Sequence, residues 1–112
     1  MASAIKAYSG VLTRDAGGTV STTIYTAPAG TVGRAYGTFE LSASGGGTSS
    51  ASAAGISIGS VTEGVANIQL SDAPGAVVIL PPGTSLVATA TVSGSGSANV
   101  IWSVVVIEEL VS

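Results

Sequence analysis

The side chains able to do chemistry in this 112-residue chain are few and scattered. The bases are Lys6, Arg14 and Arg34, the acids are Asp15, Glu40, Glu63, Asp72, Glu108 and Glu109, and histidine and cysteine are both missing. Without histidine the commonest general base and metal ligand is gone. Without cysteine there are no disulfides and no thiolate sites. Glu108 and Glu109 are adjacent, and on a strand adjacent side chains point to opposite faces, so they cannot act as an acid/base pair. A serine nucleophile could use only Lys6 as its base, and no G-x-S-x-G elbow occurs. A metal would have to be an oxygen-seeking cation such as calcium. Asp15 before its glycines and Asp72 near Glu63 are the candidate ligands, but no EF-hand spacing is present and turn aspartates explain both. The run Gly45-Gly46-Gly47-Thr48-Ser49 lacks the lysine and the following helix of a phosphate loop. The expectation is therefore no enzyme, no metal and no cofactor.

Binding classes narrow in the same way. Charged residues are 8% of the chain, well under the norm of about 25%, and the net charge is −3. Three separated cations cannot track a phosphate backbone, so no nucleic acid is expected. Mean hydropathy is +0.62. Yet the longest apolar stretches, Ala76 to Pro82 and Val104 to Ile107, are far short of the roughly 20 residues of a membrane helix. No signal peptide is visible at the N-terminus. Tyr8, Tyr25, Tyr36 and Trp102 could form a sugar-binding platform. Trp102 lies among valines and reads as core. Tyr25 and Tyr36 flank Pro28 and are expected to be partly exposed.

These residues must be positioned by strands, since no segment has a 3.6-residue period. Strands are expected at 5–12, 19–27, 32–43, 56–60, 65–70, 76–80, 85–93 and 98–110. Gly10 is a candidate bulge. Arg14-Asp15-Ala16-Gly17-Gly18 and Asp72-Ala73-Pro74-Gly75 read as turns. In the second strand Thr22 and Ile24 share one face and Thr23 and Tyr25 the other. In the third, Ala35, Gly37, Phe39 and Leu41 face inward and Arg34, Tyr36, Thr38 and Glu40 outward. Ala66, Ile68 and Leu70 point inward, as do Leu86, Ala88, Ala90 and Val92. Val100, Trp102, Val104 and Val106 oppose Ile101, Ser103, Val105 and Ile107. The run 76–80 reads as a strand buried on both faces. Residues 42–55 have flexible-linker composition and are expected to be a loop. Ser93 to Ser97 reads as a flexible hairpin loop. Residues 1–18 are expected to be an N-terminal arm or a first hairpin.

About eight short strands between Gly/Pro turns predict a single domain over 1–112. Its fold class is all-β, an antiparallel β-sandwich, jelly-roll-like or Ig-like. Such a fold must guard its sheet edges, usually with lysine, proline or bulges. With one lysine in the chain, either the edges are short and bulged or another subunit covers them, which argues for oligomerisation.

Two stretches repeat one grammar: Thr23-Ile24-Tyr25-Thr26-Ala27-Pro28-Ala29-Gly30-Thr31-Val32, and Leu80-Pro81-Pro82-Gly83-Thr84-Ser85-Leu86-Val87-Ala88-Thr89-Ala90. The second is followed by a Gly/Ser loop and a valine-rich strand ending at Glu108-Glu109. Over residues 19–110 this pattern resembles small β-sandwich virion proteins of tailed bacteriophages. The resemblance implies a capsid decoration (cement) protein, a homotrimer that clamps the major capsid protein. It implies a location on the capsid surface after synthesis in the host cytoplasm, with no membrane partner. Lys6, Tyr8, Arg14, Asp15, Arg34 and Tyr36 are the candidate residues for a subunit or capsid interface. The alternative within the resemblance is a carbohydrate- or receptor-binding module of a tail or fibre tip.

Overall fold

The computed structural model describes residues 3–71 and 77–111. Among them run nine strands: β1 (Ser3–Arg14), β2 (Gly18–Thr26), β3 (Thr31–Ser44), β4 (Gly47–Ala53), β5 (Ile56–Val61), β6 (Gly64–Leu70), β7 (Val78–Leu80), β8 (Ser85–Val92) and β9 (Ser97–Leu110). The Asp72–Gly75 turn lies outside the described residues.

The strands form two antiparallel sheets, packed as a β-sandwich. Sheet one has the order β1-β9-β3-β6, with the short β7 pairing β3 beside β6, and sheet two has the order β2-β8-β4-β5. The pairings are nested: β1 with β9, β2 with β8, β3 with β6, β4 with β5. The chain is in effect one long hairpin rolled so that its two arms alternate between sheets.

The period-2 pattern fixes which faces meet. Phe39, Leu41, Leu86, Val100 and Val106 are fully buried, with Trp102 at 8% exposure, and their odd- or even-numbered neighbours face out. At one end of the sandwich the core is built from Tyr25, Phe39, Leu80 and Leu86. At the other it shrinks to Ala43, Ala90, Val92 and Ala98. Small side chains there let the sheets approach.

Several sequence expectations are corrected. Residues 42–55 are not a flexible loop. They complete β3, turn at Gly45-Gly46, and form β4, an interior strand bonded to β8 on one side and β5 on the other. Its inward residues Gly47, Ser49, Ala51 and Ala53 are buried, but none is large enough to announce a core. Ser49 instead bridges the sheets. Its Oγ donates to the Ser42 carbonyl at 2.6 Å and accepts from the Asn99 amide at 2.9 Å. Ser49→Ala strips both partners of a completely buried group, so a loss of about 1–3 kcal/mol is expected in denaturant unfolding.

The described part of the 1–18 segment, residues 3–18, is neither an arm nor a hairpin. β1 and β2 are edge strands of different sheets, and the 15–17 corner carries the chain between them. The Gly94–Gly96 connection likewise crosses from sheet two to sheet one and is not a hairpin within one sheet. Of the run expected at 76–80, the described strand is β7, and it is buried on one face only, since Ile79 is 49% exposed between buried Val78 and Leu80.

Gly10 makes no bulge, because β1 keeps unbroken register with β9 from Ser3–Glu109 to Arg14–Ala98. It stands directly opposite Trp102, and a Cβ there would lie 2.7 Å from the indole ring. The bulge is in β2 instead, between Thr23 and Tyr25. The extra residue turns both Ile24 and Tyr25 inward, where sequence parity had separated them. Gly10→Ala is expected to displace the Trp102 ring, shift its fluorescence maximum and cost about 1–3 kcal/mol.

Candidate functional site

The two Pro-Gly corners, far apart in sequence, meet at one end of the sandwich. The Ala27 amide donates to the Thr84 carbonyl at 2.9 Å, and the Gly83 amide donates to the Ala27 carbonyl at 2.7 Å. Within the corners, Thr31 N donates to Pro28 O and Thr84 N to Pro81 O, each at 3.1 Å. The Val111 amide donates to the Gly30 carbonyl at 2.8 Å and ties the end of β9 to the same place. Proline ends the strands because it cannot donate to a ladder and holds φ fixed. The result is a tip whose outer residues, Pro28, Ala29, Gly30, Pro81, Pro82 and Gly83, are all exposed and uncharged.

Directly behind the tip lies the most polar spot of the interior. The Tyr25 hydroxyl donates to a Glu108 carboxylate oxygen at 2.5 Å, and Lys6 Nζ lies 3.4 Å from that oxygen. Glu108 is 8% exposed, a buried carboxylate held by Tyr25 and Lys6. Tyr25 is 5% exposed, against the expectation of partial exposure. The Tyr8 ring leans on Tyr25 with centroids 5.8 Å apart. Gly33 makes room for Tyr25, since a Cβ there would stand 2.9 Å from its ring. Burial, then the hydrogen bond and negative charge of Glu108, hold the Tyr25 phenol well above its ordinary range. This keeps the proton on Tyr25 and makes it a donor rather than a nucleophile.

The signal for Glu108 was present in the sequence. Val100, Trp102, Val104 and Val106 set an inward parity that continues to position 108. Glu109 points the other way and is exposed.

The six candidate interface residues fall in three places. Lys6 and Tyr8 lie on the inner side of β1 beside Glu108 and Tyr25. Arg14 and Asp15 are at the far end of β1. There Arg14 closes the corner by donating to the Ala16 and Gly17 carbonyls at 2.9 and 2.6 Å. Arg34 and Tyr36 sit on the outer face of sheet one, opposite Ile107 and Val105. No single surface gathers all six.

The acids do not converge either. Glu40 pairs Ile101 on the outer face of sheet one, and eight residues of strand, about 27 Å, separate Ile101 from Glu109. Glu63 is in the exposed β5–β6 turn, and Asp72 lies outside the described residues. Among the described residues no three acidic side chains come close enough to hold a metal ion.

The aromatic residues form no common platform: Tyr8 and Trp102 line one open hollow between β1 and β2, Tyr25 and most of Trp102 are buried, and Tyr36 is on the outer face of sheet one. A shallow groove of about 380 Å³ crosses that outer face between Thr38, Glu40, Asn67, Gln69, Ile101 and Ser103. The outer face of sheet two is a hydroxyl ladder. Thr19 meets Thr91 at 3.1 Å, Ser21 meets Thr89 at 3.0 Å and Thr26 meets Ser85 at 2.7 Å.

No family model matches the chain, and no curated protein matches it.

Proposed function

We propose that this chain is a structural virion protein of the head-decoration (cement) type, a homotrimer that binds over major-capsid subunits at the capsid surface. The observation that carries the reading is the tip. The two segments on which the phage resemblance rests are the two corners bonded to each other there, with the Glu108 end of β9 behind them. The nested strand pairing supports the jelly-roll form of the sandwich that the resemblance implies. An exposed Pro/Gly surface fixed by hydrogen bonds loses little conformational entropy on docking, and its lack of charge leaves little to desolvate. The work of such a protein is buried surface across subunit boundaries, with no covalent step.

The test is to add purified protein to particles that lack it. Saturable binding and a higher temperature of particle disruption are expected. Ala29→Glu combined with Pro82→Glu places two charges on exposed positions of the tip. That variant is expected to fold normally and bind at least tenfold more weakly. Absence of binding by the unmodified protein overturns the reading, and undiminished binding by the variant removes the tip as its contact.

A further inference from the structure

We propose that β1 pairs edge to edge with the β1 of a second copy, antiparallel about a two-fold axis, in the register that sets Tyr8 opposite Tyr8 and Ile5 opposite Val11. The inference rests on how this edge differs from the others. Sheet edges are guarded by bulges, prolines, short strands or outward charges. β2 carries its bulge at Ile24, the β5 ladder is broken between Ala51 and Ser52, β6 has seven residues and β7 three. β1 runs 12 residues without proline or bulge. Its two cations are both drawn away, Lys6 inward to Glu108 and Arg14 into the 15–17 corner. What remains along the free edge is neutral.

The strand is also complementary to itself. With positions summing to sixteen, the outer face sets Ile5 against Val11 and Ala7 against Ser9, each twice. These are the two most apolar exposed positions of the strand, at 73% and 59% exposure. The inner face sets Tyr8 against Tyr8 and Lys6 against Gly10, so the two lysines stay about four residues, some 13 Å, apart. A shift to a sum of twelve places Lys6 against Lys6. Sums of fourteen and eighteen set Ile5 against Ser9 or Thr13 and leave the apolar pair unmatched. The partner chemistry that fits the edge is therefore this same strand. The pair continues sheet one from copy to copy and extends the apolar contact of Ile5 with Ile107 on its outer face, a row that ends at Arg34. It is two-fold and so adds to any three-fold contact, and it does not depend on the virion reading.

The mass of the full chain in solution tests it, at concentrations up to about 0.5 mM, because a single strand pairing makes a small interface. An even number of chains is expected. Ile5→Lys with Val11→Lys puts lysine opposite lysine at both ends of the pairing and is expected to halve the mass. Ile5→Lys with Val11→Glu puts lysine opposite glutamate and is expected to restore it. Amide exchange of β1 is expected to slow with concentration in the unmodified protein and in the lysine–glutamate variant, and not in the double-lysine variant. A single-chain or trimeric mass for the unmodified protein overturns the pairing. So does a mass that the double-lysine variant leaves unchanged, which would mean another surface holds the copies together.

Discussion

Gly37→Ala is expected to remove a large share of the protein's stability. Gly37 lies mid-strand in β3, between Val104 of β9 and Leu70 of β6, with φ at +127°. That conformation alone costs a residue with a Cβ about 1–3 kcal/mol. The space is closed as well. A Cβ would stand 2.2 Å from the Ser103 carbonyl oxygen and 2.8 Å from the Val104 Cα. These are backbone atoms of the central strand of sheet one and cannot swing aside as a side chain can. A total loss of at least about 3 kcal/mol follows, against the 5–15 kcal/mol that holds a typical domain. For a chain of this size that is a fall in Tm of about 10 °C or more. Gly64→Ala is the control. Its φ is +99°, but nothing lies within 4 Å of the added carbon. It is expected to lose only the conformational part, about 1–2 kcal/mol. Equal losses in the two variants would show that the close approach of β3 and β9 is not what requires glycine at 37.

Glu108→Ala is expected to cost about 2–4 kcal/mol. The substitution leaves the buried Tyr25 hydroxyl without its acceptor, which accounts for most of the loss. The Lys6 side chain is 47% exposed and can turn to water, so the ion pair contributes the smaller part. Tyr25→Phe is expected to cost about 1.5–3 kcal/mol, by leaving the carboxylate with Lys6 alone. Because the two groups satisfy each other, the double variant is expected to lose less than the sum of the singles.

Alkaline pH separates this account from simple loss of packing. The folded state holds the Tyr25 proton more tightly than the unfolded chain, where the group titrates near 10.0. The contribution is fully present below pH 10. Above it the unfolded state gives up a proton that the folded state keeps, so stability falls by up to about 1.4 kcal/mol per pH unit. Tyr25→Phe is expected to flatten that part of the profile. An unchanged alkaline slope would mean that Tyr25 is not the group responsible.

Much of the fold is legible from alternation alone. The inward sets at 35–41, 86–92 and 100–106 are, apart from half-buried Gly37, those the structure buries; polar neighbours mark the alternation in β3, whereas in β9 it is carried by Trp102 and the valines against Ile101, Ser103 and Val105. β4 was hidden for the opposite reason. Its inward and outward residues are all Gly, Ala, Ser or Thr, so no contrast marks the alternation, and only its place between β8 and β5 makes it a strand. The bulge at Ile24 adds one residue to the ladder without changing the hydropathy pattern, so the inward turn of Tyr25 was lost with it. At the candidate site, the corners were readable as corners. Their meeting through Ala27, Gly83 and Thr84 depends on strands distant in sequence, which local chemistry cannot report.

The central claim, a place on the head surface of a virion, is tested most directly by a cryo-electron microscopy map of the parent particle compared with a particle lacking this chain. Difference density is expected on the outer surface of the head shell. That density should fit a two-sheet body of 50 × 25 × 20 Å repeated over capsid-subunit boundaries, with the Pro28 and Pro81 tip turned toward the shell. Difference density on the tail, or identical maps, would contradict it.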